Sequence, residues 1–454
     1  MVRDNVMTWP AEQVKVSSDV DVVVVGGGPA GIAAAMAASR NGARTLLIEQ
    51  RGFLGGMATV ALVPAFCPYS DKEKAVIRGI GLELLDRMKS ACTPEFQQEY
   101  RDWLDWVPID VEALKRVYDD AVMESGIDVL FHTFACGVDM DMDHKHIKGI
   151  YIVNKSGRSY VRCRYVIDAS GDADIAAMAG VPFQKGGDDG VLQPGTMCYL
   201  LTQVDRKRFL QYVQESGDTP QIPLAVARAQ EQGDLPPGRK DVSGFAWVSD
   251  TMVGVNFGHV FGVDGTKAED LTRAAIEGRR LVEVQARFLR SYVPGFEHAH
   301  VTTTGEQIGI RETRRIIGDY VLVQEDFMEM KSFEDDIARN AYFIDIHMAT
   351  SKDKMQIKRL PPGKSHGVPY RCLLPKQVEN LWVAGRAASS DRVVQGSLRV
   401  MPNCFAMGQA AGTASAIAIN QSLDSTRDVN ITELQEQLVQ QGAWLGEAAN
   451  QYSR

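Results

Sequence analysis

Residues 21–49 run DVVVVGGGPAGIAAAMAASRNGARTLLIE, and no other stretch restricts the fold of this chain so narrowly. Val22 to Val25 form a continuous β-branched run, the pattern of a parallel strand buried on both faces. Gly26, Gly28 and Gly31 follow at the spacing G-x-G-x-x-G. In that pattern the first glycine makes the tight turn and the second lets the backbone approach a pyrophosphate. The third lets the next helix lie close on the strand. The helix opens near Pro29 and Ala30, where its free N–H groups and positive dipole end make an anion site. Its alanines (33, 34, 35, 37 and 38) are small enough to lie flat on a sheet. A second apolar strand, Thr45 to Ile48, ends in Glu49, placed to accept hydrogen bonds from a ribose 2′-hydroxyl, with Gln50 next in the same loop. A glycine triplet alone says little. Strand, turn, helix, strand and acid in that order predict a Rossmann-like unit built for a dinucleotide.

The chain is 454 residues long, enough for two or three lobes with large cores. Its formal charge of −9 disfavours nucleic acid or an anionic membrane as partner. The N-terminal MVRDNVMTWPAEQ has no apolar leader core, and no apolar run reaches the roughly eighteen residues of a membrane span. The seven cysteines are scattered, odd in number and free of C-x-x-C. That pattern predicts reduced thiols in a cytoplasmic protein, with no disulfide frame, no bound metal and no paired redox cysteines.

Three later segments separate the two common dinucleotides. NAD needs little beyond the first unit, whereas FAD carries a flavin on a long arm and needs contacts from far downstream. Gly52 to Met57 (GFLGGM) follows Glu49, and its paired glycines, Gly55 and Gly56, would let the backbone pass close to the ribityl chain. Tyr165 to Asp172 (YVIDASGD) is a strand ending in a small turn at Ala169, Ser170 and Gly171, after a stretch that alternates like a β-meander. Asn380 to Arg386 (NLWVAGR) is another buried strand with a glycine end at Gly385. Met407 to Gly412 (MGQAAG), including Gly408, Gln409 and Ala410, opens an alanine-rich helix whose N-terminus could offset charge on a reduced flavin.

The ordered set GGGPAGIAAA, Glu49, GFLGGMAT, VIDASGD, GIRETRRIIGDY, VPYRCLLP, NLWVAGRAASSD and RVMPNCFAMGQAAG resembles the bacterial FAD-dependent oxidoreductase family. That family stands on the fumarate-reductase and thiazole-synthase side of the glutathione-reductase-like flavoproteins. The resemblance runs from about residue 20 to the C-terminus. It implies an α/β fold in which a Rossmann-like FAD-binding domain, a parallel sheet with a β-meander, is capped over the flavin by an α+β substrate domain. By the same resemblance, Ala135 falls where a backbone contact to adenine is expected. Flavin hydroxylases carry an acid directly after the glycine of the NLWVAG segment. Here Arg386 follows Gly385 and the nearest acid is Asp391, which argues against an aromatic hydroxylase.

The expected organisation is a discontinuous FAD domain, residues 18–190 and 346–422, with a cap at 191–345 and a helical tail at 423–454. Asp110 to Ser125 and Lys267 to Tyr292 read as helices. Thr432 and Gln435 resemble a capping box for a last helix, Glu433 to Gln441. The excursion at 60–109, with Trp103 and Trp106, either lines the mouth of the site or pads the domain.

Arg311, Arg314 and Arg315 would share one face of a helix, where like charges repel unless an anion is near. Either a substrate carboxylate or phosphate meets them, or they pair with Glu312, Asp319, Glu325 or Asp326. Arg311 is the one placed nearest the flavin. His347 and His366 lie on the return from the cap and are the leading acid/base candidates. Tyr370 and Arg371 are alternates for a polar substrate, and Asn256 and His259 alternate along a strand that could face the pocket. Arg399 and Cys404 precede the GQAAG helix and are expected at the flavin edge, Cys404 as packing and not as a reactive thiol. The expected activity is hydride transfer between a small polar organic substrate and flavin N5. No second G-x-G-x-x-G exists for a nicotinamide, so oxygen, a quinone or a carrier protein is the expected reoxidant. The alternatives are a fumarate-reductase-like reductase of an activated alkene and an FAD-bearing electron-transfer subunit. A homo-oligomer is compatible with all of these.

Overall fold

The computed structural model describes residues 12–187, 189–237, 240–347 and 356–447. Most of the N-terminal stretch read for an apolar leader, and residues 448–454 of the expected tail, lie outside them. The chain opens with β1 (Lys15–Val25), α1 (Pro29–Arg40) and β2 (Thr45–Ile48). It continues through α2 (Val111–Glu124), β3 (Asp128–Leu130), β4 (Phe134–Met140), β5 (Ile147–Asn154) and β6 (Gly157–Asp168). A second body follows, with β7 (Tyr199–Thr202), β8 (Phe245–Ser249), β9 (Met252–Val255), α3 (Ala268–Tyr292) and β10 (His300–Thr304). The return runs through β11 (Arg314–Ile316), β12 (Asp336–Asn340), β13 (Ile344–Ile346), β14 (His366–Pro369) and β15 (Leu381–Val383). Helices α4 (Arg392–Leu398), α5 (Met401–Asn420) and α6 (Ile431–Gln440) close the chain.

The main sheet has the order β3-β2-β1-β6-β5-β4, with β15 also on β6. The pairs β3–β2, β2–β1, β1–β6 and β6–β15 are parallel. The β4–β5–β6 meander is antiparallel. One long strand serves both halves. Residues 157–162 of β6 pair with β5, while Val166, Ile167 and Asp168 pair with Leu381, Trp382 and Val383. The valine run of β1 is apolar at every position because both faces are covered. Val22 and Val24 point to the core that holds α1 and α5, and Val23 and Val25 point to the core on the other face.

Helix α1 lies on that sheet because its residues are small. Ten of its residues are buried, seven of them alanine or glycine, and Pro29 occupies the first turn, where a missing N–H costs nothing. A Cβ on Gly31 would stand 1.7 Å from the Gly26 carbonyl oxygen. Gly26 has φ of +102°, a turn that other residues resist.

The second body is an antiparallel sheet, β8-β9-β7-β10, with its own aromatic core around Phe209, Phe245, Trp247 and Phe296. The charged helix α3 buries Val282, Phe288 and Leu289 against it. The hairpin-like pairing of β12 with β14 straddles the boundary expected at 345/346.

Three local expectations are corrected. Residues 311–315 are not helical, since β11 pairs antiparallel with Phe183–Lys185. The strand sends Arg314 to Asp174 and Arg315 to Glu312, which avoids the single like-charged face a helix would make. Helix α5 starts at Met401, well before Met407, because Pro402 fits a first turn. Helix α6 is capped by Asn430, whose side chain accepts from the Glu433 N–H (3.1 Å), and not by Thr432. Gln435 instead donates to the carbonyls of Glu334 and Asp336. Leu434 and Leu438 are buried, so this tail is docked.

Candidate active site

A cavity of about 1100 Å³ runs along the carboxyl ends of β1, β2 and β6. Gly26, Gly28, Pro29 and Ala30 form its floor, and Glu49 and Gln50 stand at one end. Gly56 and Met57 cross it, with Ala135 at the β4 end. Ala169, Ser170 and Gly171 line another wall, and Gly385, Arg386, Arg399 and Cys404 complete it. Segments from both ends of the chain therefore meet around one elongated space.

The local chemistry explains the placement. Glu49 Oε2 accepts from the Gly27 N–H (2.6 Å) and Oε1 from the Arg51 N–H (2.8 Å), which fixes the carboxylate at the end of β2. Burial raises its pKa, against those backbone hydrogen bonds. The buried Asp168 ends β6 and braces the following turn: Oδ1 accepts from the Ser170 N–H and hydroxyl, and Oδ2 from the Ala176 N–H. Burial raises the Asp168 carboxyl to about 6. Gly28 caps α1 without a side-chain acceptor, which leaves first-turn N–H groups for an anion. A Cβ there would meet only the Gly56 Cα, at 3.8 Å, so a side chain would project into the space instead of the protein. Arg51, Arg386 and Arg399 line the cavity, and each has a buried Nε without a hydrogen-bond partner. A negatively charged, many-oxygen dinucleotide fits this donor set.

Five expected cofactor residues do not line the cavity. Gly31 is buried against the Gly26 carbonyl, and Gly55 donates its N–H to the Gly27 carbonyl (2.8 Å). Gly408, Gln409 and Ala410 lie inside α5, whose first turn is at Met401. Gly408 lets α5 approach the Ala30 carbonyl, and Gln409 Oε1 accepts from the Ile80 N–H (2.9 Å). Conversely, Arg51, Thr133, Asp172, Asp174 and Gln307 line the cavity without having been expected. Asp172 closes the VIDASGD motif and receives Arg386 (2.6 Å), so its place was within reach of the sequence. Gln307 left no such signal. Asp391, the acid nearest Gly385, caps α4 instead.

A second chamber of about 1340 Å³ adjoins the first, and Met57, Arg386, Arg399 and Met401 line both. The start of α5 thus lies at their boundary. Arg311, His347, Asp345, Tyr342 and Asn256 line the chamber. Arg311 donates to the Pro194 carbonyl (2.7 Å) and the Thr196 hydroxyl (2.9 Å). His347 is 5% exposed, with Nε2 3.3 Å from Asp345 Oδ2 and Nδ1 3.0 Å from His259 Nε2. Burial pushes the imidazole down, Arg311 adds to this and Asp345 opposes it, leaving a pKa of about 3. Burial would raise the Asp345 carboxyl, but the His347 hydrogen bond and the guanidiniums of Arg399 and Arg311 hold it well below the usual carboxylate range. The pair is therefore a neutral imidazole donating from Nε2 to a carboxylate, and the hydrogen-bond network assigns Nδ1 as the acceptor toward His259. Asn256 contributes a buried Oδ1 with no partner. Trp106 lines the chamber, whereas Trp103 is exposed.

The remaining candidates are elsewhere. His366 is buried under Phe327, accepts at Nε2 from the Asn340 amide (3.0 Å) and donates to the Gly367 carbonyl. Tyr370 donates to the Thr426 carbonyl and accepts from Trp382 Nε1 (both 2.8 Å). Arg371 pairs with Asp335 (2.8 Å). All three hold the β12–β14 region together and none lines either chamber. A lone histidine carries no sign of which role it plays. Cys404 is buried at the cavity wall with its thiol pushed up to about 12 by burial.

A Rossmann cradle that opens into a second, separately cored chamber defines a dinucleotide-dependent oxidoreductase. The profile of the FAD dependent oxidoreductase family matches residues 21–438, and the chain belongs to that family, with FAD as its cofactor. The digeranylgeranylglycerophospholipid reductase of Methanocaldococcus jannaschii is 30% identical over 173 residues, 36% of this chain and 41% of that protein. The mitochondrial dihydrolipoyl dehydrogenase 1 of Arabidopsis thaliana is 27% identical over 198 residues, 42% of this chain and 35% of that protein. The chain thus spans less than half the length of these curated relatives. A geranylgeranyl bacteriochlorophyll reductase-like protein from Thermoplasma acidophilum has a solved structure with a TM-score of 0.47 and 15% identity, covering 94% of this chain and 84% of that one. Among the described residues, no helix is long and apolar enough to cross a membrane.

Proposed function

We propose that this protein oxidises a small polar organic substrate held in the second chamber, passing its electrons to FAD in the first. The observation that carries the reading is the shared wall: Met57, Arg386, Arg399 and Met401 belong to both spaces. FAD, when bound, supplies the two-electron chemistry of hydride acceptance, which amino-acid side chains lack. Residues of the chain orient the substrate and manage its proton. Burial disfavours the imidazolium of His347, so the ring rests neutral with Nδ1 as its acceptor atom. The substrate hydroxyl or amine exchanges with His259 at that atom and leaves its proton there. Asp345 fixes the tautomer through Nε2 and balances the imidazolium that forms. Asn256 Oδ1 accepts a hydrogen bond from the substrate and satisfies its own buried lone pairs. Oxygen, a quinone or a carrier protein then takes the electrons. The seven unpaired thiols suit a cytoplasmic setting.

The test is anaerobic mixing of holoenzyme with a panel of alcohols, amines and hydroxy acids while the flavin band is followed. At least one substrate should bleach it. His347→Ala should retain FAD and lose about two orders of magnitude in bleaching rate, the usual range for a general base. Bleaching by dithionite alone, with recolouring by an enoate, would replace this reading with an alkene reductase. Full-rate bleaching of the variant would remove His347 from the chemistry.

A further inference from the structure

Among the described residues, four arginines line the second chamber: Arg311, Arg359, Arg386 and Arg399. Three are committed. Arg311 is tied to Pro194 and Thr196, Arg386 to Asp172, and Arg399 to Asp345. Arg359 differs, because no aspartate or glutamate among the described residues pairs with it. Its guanidinium instead lies over the Phe343 ring, 4.1 Å from the centroid.

That arrangement fixes the plane of the guanidinium while leaving its N–H edges open. Stacking reduces the freedom of a long side chain before any ligand arrives, so less is lost on binding. Arg359 and Phe343 also line a second, outer hollow, which shares Cys67, Trp106 and Tyr342 with the chamber and continues toward Lys72 and Lys364. The free fork therefore stands where the outer hollow meets the inner chamber.

We infer that the substrate of this chamber is a small organic acid, whose carboxylate is received by Arg359. A guanidinium edge presents two parallel N–H groups that match the two oxygens of a carboxylate. One free fork offsets one negative charge. A single fork matches the one charge of a carboxylate more closely than the two of a phosphate dianion. The inference rests on the second chamber being the substrate chamber, and it adds the charge and chemical class of what enters.

Binding of unreactive acids to the holoenzyme, followed through the flavin absorbance, tests this without turnover. The probes are benzoate and butyrate, their amides benzamide and butyramide, and inorganic phosphate. At least one acid should shift the spectrum saturably, at least tenfold more tightly than its amide and than phosphate. Arg359→Gln should weaken acid binding at least tenfold, leave the amides within twofold and keep the FAD content of the parent. Arg359→Lys should fall between. Equal binding of acid and amide, equal binding of phosphate, no shift with any probe, or unchanged acid affinity in Arg359→Gln would each overturn the assignment. Because no electron transfer is read, a failure here leaves the bleaching experiment to decide the redox reading on its own.

Discussion

Two histidines of similar sequence appearance end in different situations. His347 shares a chamber wall with Arg311 and Asp345, while His366 is fully enclosed between Phe327 and Asn340. Burial lowers His366 to about 4, from an ordinary 6.5. The folded chain therefore refuses a proton that the unfolded chain accepts between about pH 4 and 6.5. Stability from this residue is complete above that window and declines as the pH falls through it, by up to about 1.4 kcal/mol per pH unit. Asp336 works oppositely. Burial raises its carboxyl to about 7, so its contribution is present at low pH and declines as the pH rises toward that value. Urea unfolding at pH 7 and pH 5 separates the two. His366→Asn should lose about 2 kcal/mol less than the parent between those values. Parallel losses would mean that the site admits the proton.

Among the elements, α1 and α5 pack backbone against backbone. A Cβ on Gly412 would stand 2.1 Å from the Ala34 carbonyl oxygen, and one on Gly408 would stand 2.0 Å from that of Ala30. Both obstacles are backbone, so neither can swing aside. In an isolated helix glycine-to-alanine gains roughly 1 kcal/mol of propensity. Here the overpacking cost, typically about 1–3 kcal/mol, opposes that gain and should exceed it. Gly412→Ala should lower the unfolding midpoint measured by circular dichroism; a rise would show that the helices have room to separate. The same elements show what the sequence discloses. Gly408 of MGQAAG reads as a cofactor contact, yet with Gly412 four residues on it serves helix packing, and a glycine that meets backbone looks the same in sequence as one that meets phosphate. The expected helical face of Arg311, Arg314 and Arg315 gives way to a strand at 314–316, because a short charged run fits helix and strand equally.

At the scale of the molecule, the cavity joins β1, β2, β6, the residue after β15 and the start of α5. A ligand that touches all of them adds to the sheet, the α1–α5 packing and the Asp172–Arg386 ion pair that already join these parts. Calorimetry of protein stripped of FAD and then resupplied should show a higher unfolding temperature with FAD, by the few degrees that about 2.7 kcal/mol gives at a hundredfold excess over the dissociation constant. No change would mean that the cradle binds the unfolded and folded chains alike. The cradle was legible because each of its motifs is a local strand-and-turn unit with fixed spacing. The second chamber is legible only in part. Trp106, Asn256, Arg311 and His347 stand out as single candidates, whereas Tyr342, Asp345 and Arg359 are isolated residues of separate segments that only the tertiary fold brings to them.

Strands β6 and β15 are immediate neighbours, and Asp172 and Arg386, just beyond their ends, meet although 214 positions separate them. The polypeptide thus departs from one seat and comes back to the adjoining one, so both ends of the intervening segment are anchored side by side at the mouth of the cradle. Such an appendage can be lengthened, trimmed or exchanged while the strand register on either side stays as it is. Changes confined to the middle of that segment therefore leave the pairing of the two anchoring strands untouched.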